Sequence, residues 1–390
     1  MITTNPPSQT DIKEYPRISY TDCYITVRPS LTGTAAELAE DLYGQLIPIL
    51  KEKQIQVIQE KVHGNVEARE AFDMGRQRAL GNSGLDCYLP YTYLEGRSLG
   101  PQEVTSIQIW GVRSHDGAAT VRTDDSEISP ARVLEGEGFQ LVYCPRIHGF
   151  DESNPGDKGC VTRQCEMVFD RIEEAMSRYD LTLHDVARTW FYSRRLLDWY
   201  GEFNCIRTKH FKEAGIYATG KDPVFPASTG IQGRFSDEEI FVDVLGLGKG
   251  GSENAFRMEQ VVTTSRQHQA FGYGSAFSRA MAVCHEGFRA VYVSGTASIN
   301  TRGESTYIGN AEMQALDTLL NIAALLGDQG GGLADVCTGT VYCKNREAYA
   351  AYRSVLQKLR IADMPLVCVE ADVCRHELLI EIELVAVIKE

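Results

Sequence analysis

The stretch LHDVARTWFY at residues 183–192 has a counterpart, LADVCTGTVY, at residues 333–342. Every position of one stretch lies 150 residues from its counterpart in the other. Each stretch follows a long segment with apolar residues at helical spacing and precedes a second helical segment that carries aromatic residues and an arginine. An internal repeat of this kind indicates two structural units of one fold within a single chain.

The repeat continues to the end of each half. A proline-led stretch follows, PASTGI from Pro226 and PLVCVE from Pro365, and each half closes with an apolar strand that carries a carboxylate, Asp243 or Glu381. The order strand, strand, helix, strand, helix, strand predicts a mixed sheet backed by two helices. The alternative is a chance likeness between two α+β units.

We therefore predict an α+β fold of two such units that form a pseudo-oligomer within one chain. We expect this chain to be a monomer, with an oligomer as the alternative. The predicted boundaries are an N-terminal tail, a divergent N-terminal unit, a linker rich in glycine and serine, and a C-terminal unit: residues 1–20, 21–246, 247–256 and 257–390.

Composition and charge narrow the range of possible functions. The 390 residues carry a net charge of −14 without a basic stripe, which argues against a nucleic-acid partner. No apolar run reaches the roughly 18 residues of a membrane span, and the N-terminus lacks a secretory pattern. The eleven cysteines form no CxxC pair and the eight histidines are scattered, so we expect a reduced, cytoplasmic protein without metal or cofactor.

The second unit resembles the YjgF/RidA family of small trimeric enamine/imine deaminases. The resemblance spans residues 285–388 and rests on VYVSGTAS, on Gly309 with Gln314, on LADV and on IEIELVA. Those deaminases carry an arginine after the proline of the penultimate strand, where it binds the substrate carboxylate. This chain has Leu366 there, which argues against simple imine deamination.

Nearly the whole chain resembles the chorismatases, which remove the enolpyruvyl group of chorismate through a YjgF-like C-terminal domain. The matching stretches are TWFYSRRLLDWYGEFNCIRTKHF (189–211), PASTGI (226–231), SRQHQAFGYGSAFSRA (265–280), SGTAS (294–298) and DVCRHELLIEIE (372–383). The resemblance implies a cofactor-independent enzyme that takes chorismate as its substrate and releases pyruvate. A YjgF-type deaminase or a small-metabolite-binding protein remains the alternative.

Cleavage of an enol ether requires an acid that still holds its proton near neutral pH. A glutamic acid does so when burial raises its pKa, and the resemblance assigns this role to Glu381. Glu383 shares its strand face at a distance of about 7 Å. We interpret Glu383 as supporting or structural.

The two carboxylates of chorismate require arginines or other hydrogen-bond donors. Arg207 matches a substrate-binding arginine of the family, and Arg353 is the second candidate, ahead of Arg375 and Arg266. Further candidates are two tyrosine hydroxyls and the backbone amides of two glycine-bearing turns: Tyr143, Tyr273, Ser228, Thr229, Gly230, Gly295 and Thr296.

Two positions bear on the product. In the resembled family, a small residue before the SGTAS strand and a cysteine seven residues before the catalytic glutamate distinguish two groups. Gly287 and Cys374 at these positions imply the group that forms 3-hydroxybenzoate. Hydrolysis to a dihydroxycyclohexadienoate is the alternative.

Overall fold

The computed structural model describes residues 9–151, 153–154, 158–217, 223–248 and 255–390. These residues form three mixed sheets, each with two α-helices. We call the corresponding segments the first, second and third units, in chain order.

The first unit covers residues 10–114. Its helix α1 starts at a capping box in which the Thr34 side chain accepts from the Glu37 amide while the Glu37 carboxylate accepts from the Thr34 amide. Leu38, Leu42 and Leu46 then bury one face of this helix. The elements are β1 (Thr10–Pro16), β2 (Tyr20–Val27), α1 (Ala35–Glu52), β3 (Gln56–Gly64), α2 (Arg69–Ser83), β4 (Thr92–Glu95), β5 (Arg97–Ser98) and β6 (Val104–Ser114).

The second unit covers residues 119–247. Its elements are β7 (Ala119–Asp124), β8 (Ala131–Gly136), β9 (Phe139–His148), α3 (Val161–Ser177), β10 (Val186–Ser193), α4 (Leu196–Glu213), β11 (Ala227–Gln232) and β12 (Ile240–Leu247).

The third unit covers residues 257–389. Its elements are β13 (Arg257–Val261), β14 (Ala280–His285), β15 (Phe288–Ala297), α5 (Ala311–Asp328), β16 (Val336–Cys343), α6 (Arg346–Leu359), β17 (Leu366–Glu370) and β18 (Ile380–Lys389).

The strand order is the same in all three units. The last strand lies between the strand that precedes the first helix and the strand that follows it, giving the orders β2-β6-β3-β4, β9-β12-β10-β11 and β15-β18-β16-β17. In each unit the strands on either side of the second helix pair in parallel, while the last strand is antiparallel to both of its neighbours. The three units are therefore structural repeats.

The predicted fold of repeated α+β units is confirmed, but the number of units differs from the two that the sequence predicted. The segment 21–246 holds two units, separated between Ser114 and Ala119. Residues 10–16, predicted as part of a tail, form β1. Most of the predicted linker 247–256 lies outside the described residues.

The lack of a capping turn explains why the sequence does not predict the first unit as a separate repeat. In the second and third units the Leu-x-Asp-Val signature is a short 3-10 turn, in which Asp185 or Asp335 accepts the backbone N–H three residues earlier. In the first unit α1 reaches β3 through Lys53–Ile55 alone, so the signature is missing from the sequence.

The three units are arranged around a common centre. Strand β3 packs on β9, β11 packs on β15, and β16 packs on β2, so each unit contacts the other two. A large apolar cluster fills the space between the sheets, and three smaller clusters lie between each sheet and its own helices. A central chamber of about 420 Å³ is lined by residues of all three units, including Lys61, Arg188 and Glu383.

Candidate active site

A cleft between the second and third units brings together several of the predicted residues. Its empty space, counted together with the solvent at its mouth, is about 530 Å³. The second unit contributes residues of α4 and β11, and the third unit contributes residues of β15, β18 and three loops. The lining residues are Tyr200, Arg207, Ser228, Gly230, Ser275, Phe277, Arg279, Gly295, Ala297, Ile299, Cys374, Arg375 and Glu381.

Glu381 is buried in this cleft on strand β18. The Cys374 thiol donates to its Oε2 at 3.7 Å. Burial, and next the negative charge of Glu383, raise the pKa of Glu381 to about 8, against smaller opposing effects of Cys374, Arg188 and Arg375. A carboxyl of this kind is still protonated at neutral pH and can act as a general acid.

Gly295 provides the space that the Glu381 carboxyl occupies. A Cβ at position 295 would overlap Glu381 Oε1, so a larger residue would displace the acid. The Gly295 amide donates to Thr229 Oγ1 at 3.0 Å. This bond joins the strands of the two units at the base of the cleft.

Arg207 is a buried cation on α4. Its Nη2 donates to Asn204 Oδ1, while its Nε has no partner among the described residues. Its guanidinium carbon lies 4.9 Å from the centre of the Phe203 ring and 5.5 Å from that of Phe277. Burial lowers the pKa of Arg207, and nearby Tyr200 opposes this. A buried arginine that no carboxylate of the described chain neutralises is suited to binding an anion.

Two further arginines line the cleft. Arg279, which sequence reasoning missed, donates to the His268 carbonyl at 2.9 and 2.7 Å. Arg375, which ranked low, donates to the Gly303 carbonyl at 2.8 Å. Arg279 lies inside the stretch 265–280 that carries the family resemblance. This location is the sequence feature that could have identified it as a site residue.

Tyr200 of α4 was also missed. Its pKa is raised by burial and by its neighbours Cys374 and Glu381. The tyrosine lies in the matching stretch 189–211, among several other aromatic residues. Its position in the cleft could not be read from spacing alone.

Two predicted substrate-binding residues lie elsewhere. Arg353 is in a cleft between the third and first units, where its Nη1 pairs with Asp363 at 2.7 Å. The Tyr143 hydroxyl donates to Asp243 Oδ2 at 2.8 Å, beside Thr92 of the first unit. Both residues lie at unit interfaces, but neither lines the cleft of Glu381.

Gly287 does not line the cleft either. It forms the turn between β14 and β15 with φ of +80°, a conformation that glycine adopts without strain. Eight residues of strand separate it from Gly295, about 26 Å at the usual rise. Its glycine is explained by the turn rather than by room beside a substrate.

The predicted anion-binding amides are partly occupied. The Ser228 amide donates to Ser294 Oγ at 2.9 Å, and the Gly295 amide is used by Thr229. The Thr296 hydroxyl donates to the Ser294 carbonyl at 2.8 Å. Tyr273 ends a short 3-10 turn, and its side chain lies outside the described residues.

The strand register corrects the match between Asp243 and Glu381. Glu383 lies opposite Thr340, and Asp243 lies opposite Trp190. Because Trp190 and Thr340 are 150 residues apart, the counterpart of Asp243 is Glu383 rather than Glu381.

Phe241 and Ser106 occupy the position of Glu381 in the other two units. Phe241 lies opposite Tyr192, Ser106 lies opposite His63, and Glu381 lies opposite Tyr342. Of the three register-equivalent positions, only that of the third unit carries an acid.

Within the described residues, no three His, Cys, Asp or Glu side chains are grouped so that they could hold a metal ion. No helix there is long and apolar enough to cross a membrane.

Comparisons with known proteins agree with this geometry. Residues 269–388 match the family described as Endoribonuclease L-PSP. These residues include β14 to β18 and the acid, so the third unit is a YjgF-like domain, and the other two units share its strand order.

The whole chain is similar to chorismatases, as predicted. It is 27% identical over 290 residues to a chorismatase of Streptomyces rapamycinicus, which covers 69% of this chain and 77% of the relative. A crystal structure of a chorismatase matches with a TM-score of 0.61, covering 95% of this chain and 99% of that chain at 19% identity. The chain thus has the fold of a chorismatase.

Proposed function

We propose that the protein is a chorismatase that removes the enolpyruvyl group of chorismate as pyruvate. The observation that carries the proposal is Glu381, a buried carboxyl with a pKa of about 8 in a cleft that also holds an un-neutralised arginine. The similarity to a curated chorismatase supports the same substrate.

In the proposed reaction Glu381 donates its proton to the terminal methylene of the enol ether. The π electrons of the enol ether form the new C–H bond, and an oxocarbenium ion results. Its positive charge lies next to the carboxylate that Glu381 has become, which stabilises the ion. In the route without water, the oxygen of the neighbouring ring hydroxyl bonds to the ring carbon as the bond from that carbon to the ether oxygen breaks, the hydroxyl loses its proton, and the bonding electrons leave with the ether oxygen as pyruvate. In the hydrolytic route, water adds to the ion with loss of a proton, and the resulting hemiketal collapses to pyruvate and a ring that keeps its oxygen.

The arginines account for substrate binding in this proposal. Chorismate carries two carboxylates, and Arg207 offers an unused Nε in a buried setting. Arg279 and Arg375 lie on the same cleft. Binding two carboxylates near Glu381 also disfavours loss of its proton, because like charges repel.

For the product we propose 3-hydroxybenzoate, with hydrolysis to a dihydroxycyclohexadienoate as the alternative. Loss of pyruvate without addition of water gives 3-hydroxybenzoate only if the oxygen of the neighbouring ring hydroxyl moves to the vacated ring carbon and the ring then loses a proton. The dihydroxycyclohexadienoate instead requires one water molecule and keeps both ring oxygens. Cys374 supports the first route because its thiol contacts Glu381 Oε2, beside the reacting group. Gly287 lends no support, since it lies at the far end of β15.

The alternative of a YjgF-type deaminase finds no support in the cleft. Leu366, at the position of the family's arginine, lines the cleft between the third and first units. Even an arginine at that position would belong to a different cleft from that of Glu381.

The test is to incubate the purified protein with chorismate and to measure pyruvate and the ring product separately. We expect pyruvate and 3-hydroxybenzoate in equal amounts, with loss of at least 100-fold in rate for Glu381→Gln. Glu312→Gln, an exposed change on α5, is the matched control and should keep full activity. Absence of pyruvate with the wild-type protein would exclude the proposed function.

A further inference from the structure

Glu383 lies where the three units meet. Its Oε2 forms an ion pair with Arg188 Nη2 of the second unit at 2.7 Å. Its Oε1 accepts from the Tyr342 hydroxyl at 2.9 Å and lies 4.0 Å from Lys61 Nζ of the first unit. Each unit therefore contributes a side chain to one buried charge cluster, which we call the axial cluster: Lys61, Arg188 and Glu383.

The axial cluster keeps Glu383 ionised. Burial acts to raise the pKa of Glu383, but the charges of Lys61 and Arg188 and hydrogen bonds from Thr229 and Tyr342 outweigh it, so that this pKa is lowered. Glu383 is therefore a carboxylate at neutral pH. A fixed negative charge stands two residues from Glu381.

The two glutamates respond oppositely because they face different neighbours on the same strand. Residues i and i+2 share a strand face and lie about 7 Å apart. Glu381 has no ion pair among the described residues and contacts the Cys374 thiol, while Glu383 has its own arginine. When two acids lie this close, the paired one ionises first and its charge opposes ionisation of the other.

The same arrangement is absent from the other two interfaces of the described chain. The strand position of Arg188 is held by Gln59 in the first unit and by Thr338 in the third, as the matching β-bulges show. The acid at position 381, the carboxylate at 383 and the arginine that pairs with it thus occur together at one interface only. That interface is the one with the candidate active site.

We propose that Glu383 is a positioning residue: held as a carboxylate by the axial cluster, it keeps the neighbouring Glu381 protonated and ready to donate its proton. The inference rests on the proposed function, because a proton kept on Glu381 serves that reaction. What it predicts is only the protonation of Glu381, which is measured without substrate.

The ionisable and charged groups around the pair come from every neighbouring element. Those that act on Glu381 or Glu383 are Lys61 and His63 of β3, Arg188 and Tyr192 of β10, Tyr200 of α4, Tyr342 of β16, and Cys374 and Arg375 of the loop before β18. Burial and Lys61 lower the pKa of His63 to about 3, so His63 stays neutral. The pKa values of all three tyrosines are raised. Among the described residues, the negative charge that acts most strongly to raise the pKa of Glu381 is that of Glu383.

The test measures the proton on Glu381 directly. The infrared carbonyl band of a protonated carboxyl that is present in the full-length protein and absent from Glu381→Gln belongs to Glu381. Its loss is followed from pH 5 to pH 10 without substrate. We expect a midpoint near 8 in the wild type and a midpoint lower by roughly one to two pH units in Glu383→Gln, from the repulsion of two charges at about 7 Å.

Three further variants separate the electrostatic role from a structural one. Glu383→Asp keeps the charge and should keep the high midpoint. Asp243→Asn removes the register-equivalent carboxylate of the second unit and should leave the midpoint unchanged. The double variant Glu383→Gln/Arg188→Gln removes both partners of the ion pair, so that Arg188 is not left buried without its carboxylate if the single variant fails to fold. Its midpoint should still fall, though by less than in Glu383→Gln, because Arg188 itself lowers the pKa of Glu381.

An unchanged midpoint in Glu383→Gln or in the double variant would overturn the inference, as would an equal fall in Asp243→Asn. If the midpoints move as expected but chorismate yields no pyruvate, the proposed function fails and the role of Glu383 stands. If pyruvate forms and the midpoints do not move, the reverse holds.

Discussion

The unusual proton affinity of Glu381 should be visible as a cost in stability. In the unfolded chain this side chain loses its proton near pH 4.5, whereas in the folded protein it holds the proton to about pH 8. Between these values the unfolded state binds fewer protons, so the free energy of unfolding falls as the pH rises. The stability that depends on the proton of Glu381 is fully present below pH 4.5 and is lost above pH 8.

The size of this cost follows from the difference in pKa. Each pKa unit corresponds to 1.36 kcal/mol, so the destabilisation above pH 8 is about 5 kcal/mol at most. Glu381→Gln replaces the acid by a neutral amide of similar size and escapes this cost. We expect the stability of Glu381→Gln relative to the wild type to increase from pH 5 to pH 9 by several kcal/mol, up to about 5.

The assay is urea unfolding, followed by tryptophan fluorescence at pH 5, 7 and 9 for both proteins. Glu312→Gln serves as the control, because the pKa of exposed Glu312 is lowered by Lys358 and Ser354 and its charge is therefore constant over this range. A difference between Glu381→Gln and wild type that stays flat or shrinks from pH 5 to pH 9 would refute the reasoning, because Glu381 would then be an ordinary ionised carboxylate.

Three other predictions concern the cleft. Gly295→Ala should reduce pyruvate formation by at least 100-fold and lower the free energy of unfolding by about 1–3 kcal/mol, because its Cβ overlaps the Glu381 carboxyl. Gly287→Ala lies at a distant turn whose positive φ strains alanine but not glycine, so it should lower the free energy of unfolding by about 1 kcal/mol and leave kcat unchanged. Arg207→Gln should raise KM for chorismate by 10-fold or more, whereas Arg353→Gln, in the other cleft, should leave steady-state kinetics unchanged. If instead Arg353→Gln raised KM and Arg207→Gln did not, the substrate would bind between the third and first units. Cys374→Val should shift the ring product toward the dihydroxycyclohexadienoate, measured by chromatography of the reaction mixture, and an unchanged product ratio would separate Cys374 from product choice.

The sequence predicts the repeat where a local capping requirement leaves a recognisable signature. Asp185 and Asp335 accept the amides of their turns, so both turns show Leu-x-Asp-Val. The first unit has no such turn, and its sheet is held by burial of β-strand residues that many different sequences can satisfy. For this reason its fold could be seen only in the structure.

The register error at Asp243 has a similar origin. The offset between the repeats is already 138 residues in β11 and β17, where Ser228 and Leu366 lie opposite Thr189 and Gly339. Strand β11 is joined to β12 by seven residues, whereas β17 is joined to β18 by nine, so the offset becomes 140 residues in the closing strands. Hydrogen-bonded pairing with the neighbouring strand defines equivalence there. A residue count through a loop does not define equivalence, because the loops differ in length between the repeats.

The predicted site residues fall into two groups, those that rest on the family resemblance and those that rest on residue type alone. Glu381, Cys374 and Arg207 lie in stretches that carry the family resemblance, and the structure brings them to one cleft. For Arg353 and Tyr143 the prediction rests on residue type, which is independent of the interface that a side chain faces. Three units produce three interfaces, and a single sequence does not indicate which of them an arginine on a helix will meet.

Joining three repeats into one chain lets their interfaces diverge. In an assembly of identical subunits, a change that adds an acid to one interface adds it to all three, with the burial cost repeated each time. Here Glu381 occurs once, while Phe241 and Ser106 stand at the other two positions, so that the cost of one buried acid is borne by the stability of the whole chain. The stoichiometry should follow: calorimetry should detect one substrate-analogue site for every chain of 43.3 kDa.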